Sequence, residues 1–218
     1  MLIDGRKVLY SVKAKKLVYP EIPTEGLVCY FDARGKTNND KHKGTLIDLS
    51  GNGNHGTLQN FSFTEESGYV KDLSSGTSGL SFDGVDDRLN FVRLTNATPY
   101  TYKVNFILTS TAKEQNALIQ FGYGAYVHSA TDTLFLPWSN STAQGTILKN
   151  EKYEIVTASD GTYDGTDVYV NGEKKTIYRV QSDNFSSTSS ISVGKKIIEN
   201  IMLWNRKLTE QEIQQLTA

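Results

Sequence analysis

Disulfide chemistry is out of reach for this chain. Its 218 residues hold one cysteine, Cys29. One thiol cannot close an intrachain bridge, and a cysteine-built metal centre is excluded with it. Histidine is nearly as scarce. His42, His55 and His128 form no i, i+4 pair on a helix and no H-E-x-x-H segment, so a histidine zinc site is not expected. No apolar run approaches the roughly 20 residues that span a bilayer. The start, Met1-Leu2-Ile3-Asp4-Gly5, lacks the basic-then-apolar pattern of a secretory signal. The expectation is a soluble protein made in a cytoplasm. Net charge is also nearly missing, with 23 Lys and Arg against 24 Asp and Glu. That balance removes any global reason to bind nucleic acid or an anionic membrane.

What the chain does have is Gly, Ser, Thr, Asn and Tyr, the chemistry of strands and turns. Strands are expected near residues 27–31, 79–83, 88–94, 102–109, 117–121, 125–128, 133–136, 154–158, 167–170, 174–180, 190–193 and 198–204. In Asp167-Val168-Tyr169-Val170 the two valines share one face. Asn171-Gly172 follows at once and accepts the positive φ angles of a type I′ turn, which predicts a two-residue hairpin. Many short strands between turn signals indicate an all-β sandwich or barrel. One helix is predicted, over 209–216. Thr209 is its N-cap, Glu212 closes a capping box, and Leu208 with Ile213 forms the hydrophobic staple.

The first residues differ from the rest. Residues 1–19 carry Arg6, Lys7, Lys13, Lys15 and Lys16 against Asp4, a local charge of +4 that leaves about −5 elsewhere. Pro20 and Pro23 follow and stiffen the chain. We place a boundary there: a basic N-terminal arm over 1–23, for docking or oligomerisation, and a core domain over 24–218. The residues 7–12 could pair as a strand. The alternative is an irregular leader packed on the core.

Motifs for catalysis are weak. Gly51-Asn52-Gly53-Asn54-His55-Gly56 matches G-x-G-x-x-G, but Thr57–Phe63 alternates and cannot open the helix a dinucleotide site requires. A polar loop is the better account. G-x-S-x-G is absent. Cys29 lies within Leu27–Phe31 and reads as a buried structural thiol. No carboxylate pair stands at the strand spacing that glycoside hydrolysis needs. Asp32, Asp48, Asn52, Asp83, Asp86 and Asp87 read first as Asx-turn formers, with calcium coordination as the alternative use of the same oxygens. Trp138, Tyr123 and Tyr126 could stack on sugar rings or fill a core. Trp204, between Leu203 and Asn205, reads as core.

Four segments in order carry a resemblance. Gly26–Asp32 leads to Leu46-Ile47-Asp48-Leu49-Ser50-Gly51-Asn52-Gly53-Asn54-His55-Gly56. Leu80-Ser81-Phe82-Asp83-Gly84-Val85-Asp86-Asp87 follows. Asp167–Gly172 then precedes the segment from Ile201 to Ile213. Together they resemble the concanavalin A-like jelly-roll domains of the LamG or pentraxin type, over about residues 26–217. The resemblance implies two packed antiparallel sheets and a binding or structural module, often for glycans or proteins. It implies calcium for some members, with Asp32, Asp48 and Asp83 at matching positions. The catalytic E-x-D-x-E strand of the fold's glucanases is missing, so no enzymatic activity is expected. Similar domains occur in tailed-bacteriophage virion proteins behind a short docking segment. By that analogy the chain is expected to be a non-enzymatic virion protein on capsid or tail. Its partners would be other virion proteins or a second copy of itself. The alternative is a lectin-like module for host or bacterial surface glycans.

Overall fold

The computed structural model describes residues 22–72, 76–92, 99–109, 133–136, 140–142, 145–162, 164–179, 190–191 and 194–217, with short strands at 2–3, 6–7, 9–11, 16–18, 115–119 and 125–128. The leading strands pair locally: β1 (Leu2–Ile3) with β2 (Arg6–Lys7), and β3 (Leu9–Ser11) with β4 (Lys16–Val18). Of the strand expected over 7–12, Lys7 and Leu9–Ser11 are in described strands, with Ile3 and Leu2 facing β2 and Lys16–Val18 facing β3; residues 8 and 12 lie outside the described residues.

Next come β5 (Leu27–Asp32), β6 (Thr45–Leu46), β7 (Gly56–Gln59), β8 (Gly68–Asp72), β9 (Thr77–Gly84), β10 (Arg88–Asn90) and β11 (Tyr100–Leu108). After them run β12 (Gln115–Ile119), β13 (Ala125–His128), β14 (Thr133–Leu136), β15 (Asn140–Ser141), β16 (Lys152–Ser159) and β17 (Thr166–Val170). The last strands are β18 (Glu173–Lys175), β19 (Tyr178–Arg179), β20 (Ser190–Ile191) and β21 (Gly194–Trp204), followed by α1 (Glu210–Thr217). No described helix is long and apolar enough to cross a membrane.

The architecture is the expected antiparallel sandwich. An eight-stranded central sheet runs β18-β17-β16-β11-β21-β9-β8, and β5 also pairs with β21. Strand β21 is long enough to bond β9 through Gly194–Ile198 and β5 through Asn200–Trp204. The opposing layer contains β20-β10-β7-β6 and β12-β13-β14-β15-β19. The two-fold alternation of strands sends Phe31, Leu80, Phe82, Val104, Phe106, Ile155, Val168 and Ile201 inward. There they meet Leu46, Leu58, Leu89 and Leu134 of the opposing layer. Phe61 and Phe82 pack edge to face, centroids 5.1 Å apart.

The outer face of the central sheet holds a second, smaller apolar cluster. Tyr30, Val156, Tyr169, Met202 and Trp204 pack there under Leu208, Ile213 and Leu216 of the C-terminal segment. Trp204 is fully buried, and its indole N–H donates to the Pro23 carbonyl at 2.7 Å. Helix α1 starts as its sequence requires. The Thr209 N–H donates to the Glu212 carboxylate at 2.8 Å, and the Glu212 N–H returns a bond to the Thr209 hydroxyl at 3.3 Å. Both staple residues, Leu208 and Ile213, are buried. The Asn171-Gly172 turn has φ of 52° and 80°, and Val170 pairs with Glu173 across it.

Candidate functional site

The loop read as polar rather than nucleotide-binding is built around Asp48. One carboxylate oxygen accepts from the backbone N–H groups of Tyr30 and Ser50, both at 2.9 Å, and the other from Asn54 N–H at 3.0 Å. Asn52 and Asn54 donate their amides to the carbonyls of Leu27 and Val28 at 2.7 and 2.8 Å. Gly56 then enters strand β7, not a helix. Burial pushes the Asp48 carboxyl upward, but the bonds from Ser50, Tyr30 and Asn54 prevail and hold it below the usual range. Cys29 sits beside it with no exposed surface, and burial first, then Asp48, drives its thiol well upward. It is structural, as its apolar run indicates.

The acidic positions separate into different settings. Asp83, Asp86 and Asp87 bring ligand oxygens within 4.8 Å of one another. Asp32 and Asp48 belong to no such group among the described residues. Asp87 is buried; its oxygens accept from the Ser67 hydroxyl and the Asp83 N–H, both at 2.9 Å. Burial, outweighing those bonds and helped by the charges of Asp83 and Asp86, raises its carboxyl above the ordinary value. Among the described residues no Lys or Arg bridges this group.

Asp32 lies instead on the outer face of the central sheet, in a row across four strands. Register places Asp32 of β5 opposite Asn200 of β21, Asn200 opposite Asn105 of β11, and Asn105 opposite Glu154 of β16. Directly opposed residues share a face and lie about 5 Å apart. The acids at the ends are tied down. Arg34 grips Asp32 with Nε at 2.9 Å and Nη2 at 2.6 Å. Lys103 Nζ is 2.6 Å from Glu154 and also donates to the Leu216 carbonyl of α1 at 2.7 Å. The bidentate bond to Asp32 outweighs burial and raises the Arg34 guanidinium further. A bulge interrupts the ladder here: Asn105 pairs with Asn200 but Phe106 pairs with Ile198. Glu199 is the extra residue, its carbonyl taken by Ala33 N–H at 2.8 Å and its carboxylate by Lys152 at 2.7 Å.

The aromatic candidates Trp138 and Tyr123 lie outside the described residues, as do Lys13 and Lys15. The backbone of Tyr126 is in β13, and those of Arg6, Lys7 and Lys16 are in β2 and β4. Sequence reasoning did not find Asn105, Glu154, Glu199 or Asn200. A signal was present: Glu199-Asn200 places two adjacent polar residues within the apolar run Ile197–Trp204, which flat two-fold alternation cannot accommodate.

No family model and no curated protein matches the chain at the sequence level. Solved structures do match in shape. Domain 4 of AbnA, a GH43 extracellular arabinanase from Geobacillus stearothermophilus solved in complex with arabinotriose, is 13% identical with a TM-score of 0.57; the match covers 88% of this chain and 98% of that one. The binding domain of Paraclostridial mosquitocidal protein 1 is 11% identical with a TM-score of 0.57, over 89% of this chain and 52% of that one. Trypanosoma rangeli sialidase in complex with the inhibitor DANA is 16% identical with a TM-score of 0.56, over 90% of this chain. The chain spans about a third of the sialidase's length, 33%. At such identities the likeness establishes the β-sandwich fold.

Proposed function

We propose that the chain is a non-catalytic carbohydrate-binding module. One observation carries this reading. The chain superposes on nearly the whole of a domain solved with arabinotriose, 98% of its length. Trp138, Tyr123 and Tyr126 are the proposed sugar-stacking side chains, since aromatic faces suit the apolar faces of pyranose and furanose rings. The ion pairs that hold Asp32 and Glu154 support a non-catalytic role. The test is a glycan array and a calorimetric titration with arabinotriose. Binding that weakens at least tenfold in Trp138→Ala supports the reading. Binding to no glycan, or release of reducing sugar from polysaccharide, contradicts it.

Calcium is proposed for Asp83, Asp86 and Asp87. Three carboxylates within 4.8 Å, one of them buried, repel one another, and a divalent cation would relieve that repulsion. Asp32 and Asp48, which match calcium positions of the resembled family, are each held by other bonds.

A second reading concerns the leading segment. Its charge of +4 favours docking to an acidic surface, and a phage capsid or tail is the proposed partner, with the sandwich facing outward. Deleting residues 1–23 should abolish binding to particles that lack the protein; unchanged binding contradicts this.

A further inference from the structure

The row Asp32–Asn200–Asn105–Glu154 is an unusual use of a sheet face. Its ends are electrically closed, because Arg34, Lys103 and Lys152 answer Asp32, Glu154 and Glu199 one for one. Its middle is chemically open. The side-chain oxygens of Asn105 and Asn200 are buried and meet no donor, and Asn200 is only 6% exposed. Native proteins rarely leave such oxygens unmatched without a reason. The β21 bulge turns consecutive residues Glu199 and Asn200 toward this spot, and bulges of this kind re-aim side chains beside functional sites.

We infer that this row is a binding site for the hydroxyl groups of a glycan, on the outer face of the central sheet beside the C-terminal end of α1. The inference rests on the carbohydrate-binding reading and gives it a second, non-aromatic contact. Charge decides the ligand class. Three acids matched by three bases leave no net attraction for a metal ion or an anion, whereas two amide oxygens call for neutral donors. Sugar hydroxyls are such donors, and amide side chains are apt partners for them. Lys152 borders the row through its ion pair with Glu199. Lys152 is 54% exposed and held by a single ion pair, and such half-solvated pairs are weak.

The test compares Asn200→Leu and Asn105→Leu with wild type by calorimetric titration with arabinotriose and an oligosaccharide panel, and by thermal melting. Leucine keeps the shape and removes the unmatched oxygen. Expected are a loss of affinity of at least tenfold in both variants and, in Asn200→Leu, a Tm that rises by about 2–4 °C. Unchanged affinity overturns the inference. So does a lowered Tm in Asn200→Leu, which would mean that an ordered water already satisfies that amide; Asn105→Leu also removes the 3.3 Å bond from its amide nitrogen to Glu154, so its Tm is not used. Where a leucine variant fails to fold, the wild-type protein decides. Sugar must shift the side-chain amide resonances of Asn105 and Asn200, and resonances that stay in place overturn the site. Binding lost in Trp138→Ala but intact in both leucine variants overturns the row alone and leaves the module reading standing. Wild-type binding to no sugar overturns both.

Discussion

Single carboxylates do different work here according to what surrounds them. Asp48 ties its own loop, through the Ser50 and Asn54 N–H groups, to the Tyr30 N–H of β5. Its truncation to Ala strands those donors, so Asp48→Ala should cost about 2–4 kcal/mol in a denaturant melt. From the chain alone Asp48 reads first as an Asx-turn former, with calcium ligand as the alternative, because both roles ask for oxygen in a Gly/Asn loop. Only the approach of β5, which brings Tyr30 N–H to it, separates the two geometrically. Glu212 behaves in the opposite way and was legible, since its capping box is local. Its carboxyl is lowered from 4.5 to about 2, chiefly by the bond to Arg206 and then by Thr209. A depressed carboxyl stabilises the folded state above its unfolded value. The contribution is therefore complete above about pH 4.5 and lost as pH falls toward 2. Glu212 is a quarter exposed, so solvent screening leaves roughly 1 kcal/mol. Glu212→Gln should lower stability by that amount at pH 7 and hardly at all at pH 2; an equal loss at both would contradict the assignment.

Among the elements, the clearest sequence signals were those with local causes. Asn171-Gly172 predicted its hairpin because only the turn's φ angles matter. Gly172→Ala, at φ 80°, should cost about 1 kcal/mol or more by thermal melting. Long alternating strands such as β11 and β21 were legible too, although their ends moved. The two-residue strands β6 and β15 were not, because so short a segment owes its pairing to its neighbours rather than to its own pattern. Strand β7 was not among the expected strands; the Thr57–Phe63 alternation served only to exclude a helix, and just its first part is paired. The Glu199 bulge escaped notice for a related reason. It arises where β21 changes partner from β9 to β5, which is a property of the sheet. Gly79 guards this same region. A Cβ there would lie 2.5 Å from the Ile198 carbonyl oxygen. Gly79→Ala should therefore destabilise the fold by about 2–3 kcal/mol, read from the denaturation midpoint; a neutral effect would contradict the close β9–β21 approach.

At the scale of the molecule, the near-zero net charge conceals a basic leading segment and an acidic remainder. Its described residues form an antiparallel sandwich with the large sheet covered outside by α1 and by Leu208, Ile213 and Leu216. That much followed from strand and turn chemistry together with the jelly-roll resemblance. The outer-face row did not, because it joins residues from four strands that are far apart in the chain. Calcium belongs to this scale as well. Millimolar calcium should raise Tm by a few degrees over chelator-treated protein, and the gain should vanish in Asp87→Asn; identical melts with and without the ion would exclude the Asp83, Asp86 and Asp87 group. The central claim is that this sandwich holds sugar without cleaving it. Calorimetric titration of the full chain with arabinotriose and a bacterial-surface oligosaccharide panel tests it most directly. The account predicts saturable binding to at least one glycan, weakened at least tenfold by Trp138→Ala, with the glycan recovered intact. A flat titration across the whole panel, or a cleaved product, would contradict it.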